Sequence, residues 1–202
     1  EHFMLKEMLE ESAAVANALR SKELIENSVK TMGKFSQIYL VACGTAWHAG
    51  VTAKYLFQEY GIPATAEVAS EFRYSTVNSL SKDDLVILIS QSGETADTLA
   101  AAKAAKAKGA KTIAIVNVVG SSITRVADQS IYTYSGPEIA VASTKVYLGQ
   151  ITALTLLVLE ILKKKGKLSE DEYCNKLKEL ENLPAKIDVI LDNREKIQEL
   201  AK

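Results

Sequence analysis

The sequence predicts a three-layer α/β domain, in which helices cover both faces of a five-stranded parallel sheet. Five short apolar runs alternate with stretches that have helical periodicity. Because these runs are continuously apolar, both faces of the sheet should be covered, as is typical of parallel strands joined by right-handed crossovers. Five such strands favour a flavodoxin-like order. A leading helical arm and further C-terminal helices would flank the sheet.

The first segment, residues 3–31, is predicted to be helical because its apolar residues recur at helical spacing and it contains no proline. The predicted strands are residues 37–43, 64–68, 85–90, 112–117 and 130–133. The segments expected between them are a helix at 46–60, a turn at 70–74, a helix at 95–108 and a short helix at 122–127. Each strand-turn-helix unit therefore returns the chain to the same edge of the sheet.

After Gly136 the chain is predicted to be almost entirely helical. The expected helices are residues 142–165, 169–182, with Ser169 as its cap, and 186–201, beyond a stop at Pro184. The apolar run 146–162 raises the question of a membrane span, but its length is marginal and polar residues such as Gln150 and Glu160 interrupt it. A buried helix is the favoured interpretation, and no membrane partner is expected.

The composition is that of an ordinary soluble protein. Of 202 residues, 48% are hydrophobic and 24% charged, which argues against disorder, and the net charge of −1 includes no basic stripe for nucleic acid. Cys43 and Cys174 lie far apart and form neither a CxxC pair nor a disulfide framework, so a reducing cytoplasm is expected. No signal peptide is recognised at the N-terminus. No metal site or other cofactor is predicted.

The segment Ser90-Gln91-Ser92-Gly93-Glu94-Thr95 follows the third strand and precedes a helix. Unpaired amides at a helix start, together with these hydroxyl groups, are suited to hold a phosphate, and Gly93 would let the backbone approach closely. The alternative is that Ser92 or Thr95 only caps the helix, while the other hydroxyls bond locally. Because the loop lacks a lysine beside its glycine, it is not a Walker A loop.

Two other turns should lie near this one. Cys43-Gly44-Thr45-Ala46 closes the first strand, and ligands of open α/β sheets bind where the strand order reverses, so a sugar would lie near Thr45. The second turn precedes the long helix, where Val141 and Ser143 are candidates to bind sugar hydroxyls. The alternatives are an ordinary turn and N-cap at Gly44-Thr45, and a helix capped by Ser143 or Thr144 with Lys145 solvated.

Together these turns resemble the sugar isomerase (SIS) family and, within it, the glucosamine-6-phosphate synthases. The resemblance covers residues 2 to about 160. The matching stretches are His2-Phe-Met-Leu-Lys-Glu, Cys43-Gly-Thr, Ala69-Ser-Glu-Phe-Arg-Tyr, Ser90-Gln-Ser-Gly-Glu-Thr-Ala-Asp-Thr, Gly120-Ser-Ser, Gly136-Pro-Glu-Ile and Val141-Ala-Ser-Thr-Lys. The chain differs from the family at Ala46, where serine is usual, and at Ala140, where glycine is usual.

The resemblance implies a single SIS domain over residues 1–202, with an arm at 1–34, an α/β core at 35–166 and an extension at 167–202 toward a second SIS lobe. It also implies binding of fructose-6-phosphate or glucosamine-6-phosphate, partnership with a glutaminase domain of the same enzyme, and a homodimer. The residues implied to bind phosphate are Ser90, Gln91, Ser92 and Thr95. Thr45, Val141 and Ser143 would contact the sugar, and Cys43, Gly44, Ala46 and Gly93 would be backbone neighbours.

The resemblance places the family's catalytic residues in the second lobe, so none is expected in this chain, which alone should be inactive. Two other functions stay open. A stand-alone phosphosugar sensor would use the same pocket. A one-lobe phosphosugar isomerase would need its own acid/base, for which Glu138 and His48 are the obvious candidates.

Overall fold

The computed structural model describes residues 2–201 and contains one five-stranded sheet in which all strands are parallel. The strands are β1 (Gln37–Ala42), β2 (Ala64–Val68), β3 (Asp84–Ser90), β4 (Lys111–Val116) and β5 (Gln129–Tyr132). Their spatial order is β2-β1-β3-β4-β5. The predicted flavodoxin-like sheet is therefore confirmed, and the order reverses between β1 and β3.

The described residues also form ten α-helices. They are α1 (Phe3–Leu9), α2 (Glu11–Leu19), α3 (Lys22–Thr31), α4 (Thr45–Glu59), α5 (Ala69–Tyr74), α6 (Ala96–Ala107), α7 (Lys145–Lys164), α8 (Glu170–Glu181), α9 (Leu183–Asp192) and α10 (Arg194–Leu200). Two short 3-10 helices span Thr76–Ser79 and Ser122–Arg125.

Several element predictions need correction. The first helical segment consists of three short helices, and residues 69–74 form α5 where a turn was predicted. The helix expected at 122–127 is a single 3-10 turn, and the one expected at 186–201 is two helices. Pro184 does not stop the chain before them, because it lies in the first turn of α9, where proline is tolerated. The predicted capped start at Ser169 is confirmed, because Ser169 and Glu172 form a capping box at the start of α8.

The sheet divides the core into two layers. Along β3, which is buried at every position, alternate residues enter opposite layers. Ile87 and Ile89 join a cluster that includes residues of α3, α4 and α7, whereas Val86 and Leu88 join a cluster that includes residues of α5 and α6. This arrangement is the three-layer fold that the apolar strands predicted.

Helix α7 is the central helix of the first layer. It packs against α2, α3, α4 and α8, and the buried helix predicted here is confirmed. By length and composition alone α7 could cross a membrane, but 78% of its most apolar window is buried within the protein. Core helices commonly have these properties, so they are weak evidence for a membrane span.

Candidate functional site

A small cavity lies at the carboxyl edge of the sheet, where β1 and β3 end. Its volume is about 160 Å³. The residues that line it are Cys43, Thr45, Ala46, Ile89, Ser90, Gln91, Ser92, Thr95, Ser143 and Gln150. We call it the Ser90 cavity. It brings together all four predicted phosphate ligands and two of the three predicted sugar ligands, on turns that are far apart in sequence.

The turn after β3 is held by hydrogen bonds between its hydroxyl groups and its own backbone. The buried hydroxyl of Ser90 accepts a 3.0 Å bond from the amide of Gly93 and lies 3.1 Å from the hydroxyl of Thr95. The hydroxyl of Ser92 accepts a 3.1 Å bond from the amide of Glu94. A hydroxyl that accepts a bond in this way keeps its own proton for donation, so Ser92 retains a donor for a ligand.

Helix α6 starts directly after this turn. Thr95 occupies the N-cap position, but its side chain makes no capping bond to the helix, so it does not act as the side-chain cap that was the alternative interpretation. The first amides of α6 have no partner within the helix and carry the positive end of its dipole. These donors can therefore serve an oxyanion in the cavity.

The 120–123 segment supports the Ser90 turn from the side. A Cβ atom on Gly93, whose φ is +67°, would lie 2.1 Å from the hydroxyl oxygen of Ser121. The amide of Ser122 donates a 2.6 Å bond to the Glu94 carboxylate, and this bond lowers the pKa of Glu94. Gly93 therefore permits close packing against Ser121.

A second support joins α5 to α6. The guanidinium of Arg73 donates a 2.8 Å bond to the carboxylate of Asp97, in the first turn of α6, and the neighbouring residue Phe72 is fully buried. Arg73 and Phe72 belong to the Ala69–Tyr74 motif and Asp97 to the Ser90–Thr98 motif. This ion pair explains how the Ala69–Tyr74 motif can stabilise the site although none of its residues lines the cavity.

Glu138, and not Ser143 or Thr144, caps α7. Its Oε1 atom accepts bonds from the amides of Thr144 (2.9 Å) and Val146 (3.3 Å), while Oε2 accepts a 2.8 Å bond from the hydroxyl of Ser143. Thr144 stands at the N-cap position but its side chain makes no capping bond. The helix consequently begins at Lys145, three residues after the predicted start.

The N-terminal helices hold the loop that carries Ser143. Glu7 is 3% exposed and accepts a 3.2 Å bond from the amide of Ala140, as well as one from Ile139. Lys145, which the alternative interpretation of this turn leaves solvated, is 3% exposed and pairs with Glu10, which lies between α1 and α2. The hydrogen bond from Lys145 lowers the pKa of Glu10. Glu7 and Glu10 thus hold this loop in place, although they lie more than 130 residues away from it in sequence.

Some candidates lie outside the cavity. Gly44, Gly93 and Val141 do not line it, and the Val141 side chain is fully exposed. His48 is exposed on α4, and Glu138 touches the site only through Ser143. Within residues 2–201, no group of three or more His, Cys, Asp or Glu side chains is placed to hold a metal ion.

The sequence prediction missed Gln150, which lines the cavity from α7. It was treated only as a polar interruption of an apolar helix. One signal was available, because an amide on the buried face of such a helix needs a hydrogen-bond partner.

The chain is similar in sequence to a known protein family. The SIS domain family model matches residues 33–160. Over its full length, the chain is 47% identical to glutamine–fructose-6-phosphate aminotransferase (isomerizing) of Caldanaerobacter subterraneus and 46% identical to that of Thermococcus kodakarensis. It spans about a third of these relatives, 34% of each.

A solved structure is also closely similar. The C-terminal domain of glucosamine-fructose-6-phosphate aminotransferase from Francisella tularensis superposes with a TM-score of 0.91 at 35% identity. The superposition covers 99% of this chain and 58% of that domain.

Proposed function

This chain belongs to the SIS domain family, and from that premise we propose that its Ser90 cavity binds the phosphate of a phosphorylated hexose. The observation that carries the proposal is the convergence of Ser90, Ser92 and Thr95 on one cavity at the point where strand order reverses. The hydroxyl groups and the α6 amides supply donors to a dianion without a lysine or arginine in the lining.

The two other turns would hold the sugar. Thr45 and Ser143 line the same cavity. Thr45 can donate to or accept from a sugar hydroxyl, whereas Ser143, whose proton is donated to Glu138, can accept from one. Val141 would contribute backbone groups only, because its side chain points to solvent. Pockets that enclose a drug-sized ligand have volumes of about 300–1,000 Å³. A cavity of about 160 Å³ would therefore surround only part of a hexose phosphate.

We assign this chain an anchoring role in a larger enzyme. Among the described residues that line the cavity, none is a carboxylate, an imidazole or an amine, and the thiol of Cys43 is the one titratable side chain. Binding the phosphate far from the reacting carbons would fix the orientation of C1 and C2, and so supply positioning. The proton transfers would fall to residues outside this chain.

The relatives suggest the reaction. We propose that this chain is one SIS lobe of a glutamine–fructose-6-phosphate aminotransferase, whose intact form converts fructose-6-phosphate and glutamine-derived ammonia to glucosamine-6-phosphate and water. Its partners would be a second SIS lobe and a glutaminase domain, with residues 167–202 extending toward the second lobe. A homodimer in the cytoplasm is the proposed setting. Alone, the chain should bind sugar phosphate weakly and catalyse nothing.

The site makes a one-lobe isomerase the weaker alternative. Its two acid/base candidates are placed poorly, since His48 does not line the cavity and both Glu138 oxygens accept bonds at the start of α7. A stand-alone sensor would use the same cavity. Isomerisation of fructose-6-phosphate by the chain alone would favour the first alternative, and an upstream glutaminase sequence would argue against the second.

Calorimetric titration tests the binding site. The chain is titrated with fructose-6-phosphate, with glucosamine-6-phosphate and with fructose as the unphosphorylated control. Ser92→Ala and Thr95→Ala should each weaken sugar-phosphate binding about tenfold, the loss of about one charge-assisted hydrogen bond, with nearly unchanged thermal stability. Unaltered affinity in both variants, or equal binding of fructose, would refute the phosphate assignment.

A further inference from the structure

Gln150 faces the Ser90 cavity from the opposite side of the sheet to the phosphate-binding turn. It lies in the second turn of α7, and its side chain is part of the cavity lining although the residue is only 2% exposed. Helix α7 belongs to the layer that contains α4, whereas the Ser90 turn leads into α6 in the other layer. The cavity therefore has one wall from each layer, and Gln150 belongs to the wall opposite α6.

The amide of Gln150 is the exception among the buried polar side chains of α7. Three others have partners: Lys145 pairs with Glu10, Thr152 donates to the carbonyl of Leu148 at 2.8 Å, and Glu160 accepts from Tyr173. Within residues 2–201 no hydrogen bond joins the Gln150 amide to another residue, and the cavity is the open space beside it. The polar atoms of Gln150 are also not among the fully enclosed side-chain atoms without a partner, so they open onto the cavity. The missing partner would lie in the cavity.

The chemistry of an amide indicates which part of the ligand it meets. A glutamine side chain has two donor hydrogens and an acceptor oxygen, a hydroxyl group can both donate and accept, and a phosphate dianion can only accept. The proposed phosphate position already has four polar side chains, those of Ser90, Gln91, Ser92 and Thr95, on the turn that leads into α6. On the other elements of the lining, the hydroxyl and amide groups are those of Thr45, Ser143 and Gln150. We propose that Gln150 binds a hydroxyl group of the hexose and determines specificity for the sugar portion of the ligand. This inference rests on the proposed sugar-phosphate binding.

The test compares two ligands and two buried positions of α7. Gln150→Leu and the control Thr152→Val are titrated with fructose-6-phosphate and with inorganic phosphate, and their melting temperatures are measured. Gln150→Leu should lower the affinity for fructose-6-phosphate about tenfold and leave the affinity for inorganic phosphate unchanged. The melting temperature should stay nearly the same, because the Gln150 amide makes no hydrogen bond to the described residues. Thr152→Val should leave both affinities unchanged, since Thr152 satisfies its own hydrogen bond within the helix.

Each result has one meaning. If the unaltered chain fails to bind fructose-6-phosphate, the proposed function fails, and this inference with it. If the unaltered chain binds and Gln150→Leu binds equally well, only the inference on Gln150 is overturned. A parallel loss of inorganic phosphate affinity and melting temperature would show a purely structural role and would also overturn it. Gln150→Met, which keeps the length of the side chain, replaces Gln150→Leu if the latter does not fold, and the same results are expected.

Discussion

The hydroxyl of Ser143 donates a 2.8 Å hydrogen bond to one carboxylate oxygen of Glu138. The other oxygen of Glu138 accepts hydrogen bonds from the amides of Thr144 and Val146 at the start of α7. One side chain therefore joins the start of the central helix to the Ser90 cavity. Glu138 should therefore affect both the stability of the helix start and the position of the Ser143 hydroxyl, a proposed sugar ligand.

Glu138→Ala should reduce both the free energy of unfolding and the affinity for fructose-6-phosphate. Loss of a helix cap costs about 0.5–2 kcal/mol of unfolding free energy, and Ser143 would lose the acceptor that orients its hydroxyl. Chemical denaturation and calorimetric titration with fructose-6-phosphate measure the two effects. Ser169→Ala is the matched control, because it removes the cap of α8, which lies outside the cavity lining. The control should lose similar stability with full affinity, and an equal loss of affinity in both variants would contradict the link.

The variants Ser90→Ala and Ser92→Ala should differ in stability, although both residues are proposed phosphate ligands. Ser90→Ala leaves the buried amide of Gly93 without an acceptor, which should cost about 1–3 kcal/mol. Ser92→Ala removes an acceptor only from the exposed amide of Glu94, so its effect should stay within about 0.5 kcal/mol. Urea denaturation measures both variants. Equal stabilities would show that the Ser90 hydroxyl does not hold the turn.

The sequence predicted the sheet well because its signals are local. Continuous apolar runs and helical crossovers were enough to predict the strand order, and the reversal between β1 and β3 follows from that order. The start of α7 was mispredicted because its cap comes from Glu138, six residues before the N-cap residue Thr144, and local cap statistics favour serine and threonine. The burial of Lys145 depends on Glu10, a tertiary contact that no local pattern encodes.

Gly93→Ala should be strongly destabilising. A residue with a side chain is strained by about 1–2 kcal/mol at positive φ, and the new Cβ atom would also collide with Ser121. Overpacking adds about 1–3 kcal/mol, so a total of roughly 2–5 kcal/mol is expected. Gly166→Ala separates the two causes, because Gly166 has a φ of +65° and a Cβ atom there would have no neighbour within 4 Å. If denaturation shows equal losses for the two variants, packing against Ser121 does not contribute.

The Glu10–Lys145 pair should make stability fall in acid. Its hydrogen bond lowers the pKa of Glu10 in the folded state, so the contribution is present above the unfolded pKa, near 4.5, and is lost as pH falls through the lower folded pKa. Glu10→Gln should lose this dependence and cost about 1–3 kcal/mol at pH 7, less than a fully buried pair because solvent screens the 40% exposed carboxylate.

Thermal melts between pH 3 and pH 7, on the order of one pH unit apart, check this prediction. Glu170→Gln is the control, since it breaks the more exposed pair with Lys163 and should cost less than about 1 kcal/mol. Equal losses in the two variants at pH 7 would contradict the special role of Lys145.

A crystal structure of the chain soaked with glucosamine-6-phosphate tests the central claim most directly. We expect the phosphate within about 2.5–3.2 Å of the Ser92 and Thr95 hydroxyls or the first α6 amides, with the sugar directed toward Thr45 and Ser143. A phosphate bound elsewhere on the molecule, or a Ser90 cavity that stays free of ligand under saturating conditions, would contradict the proposed phosphate site.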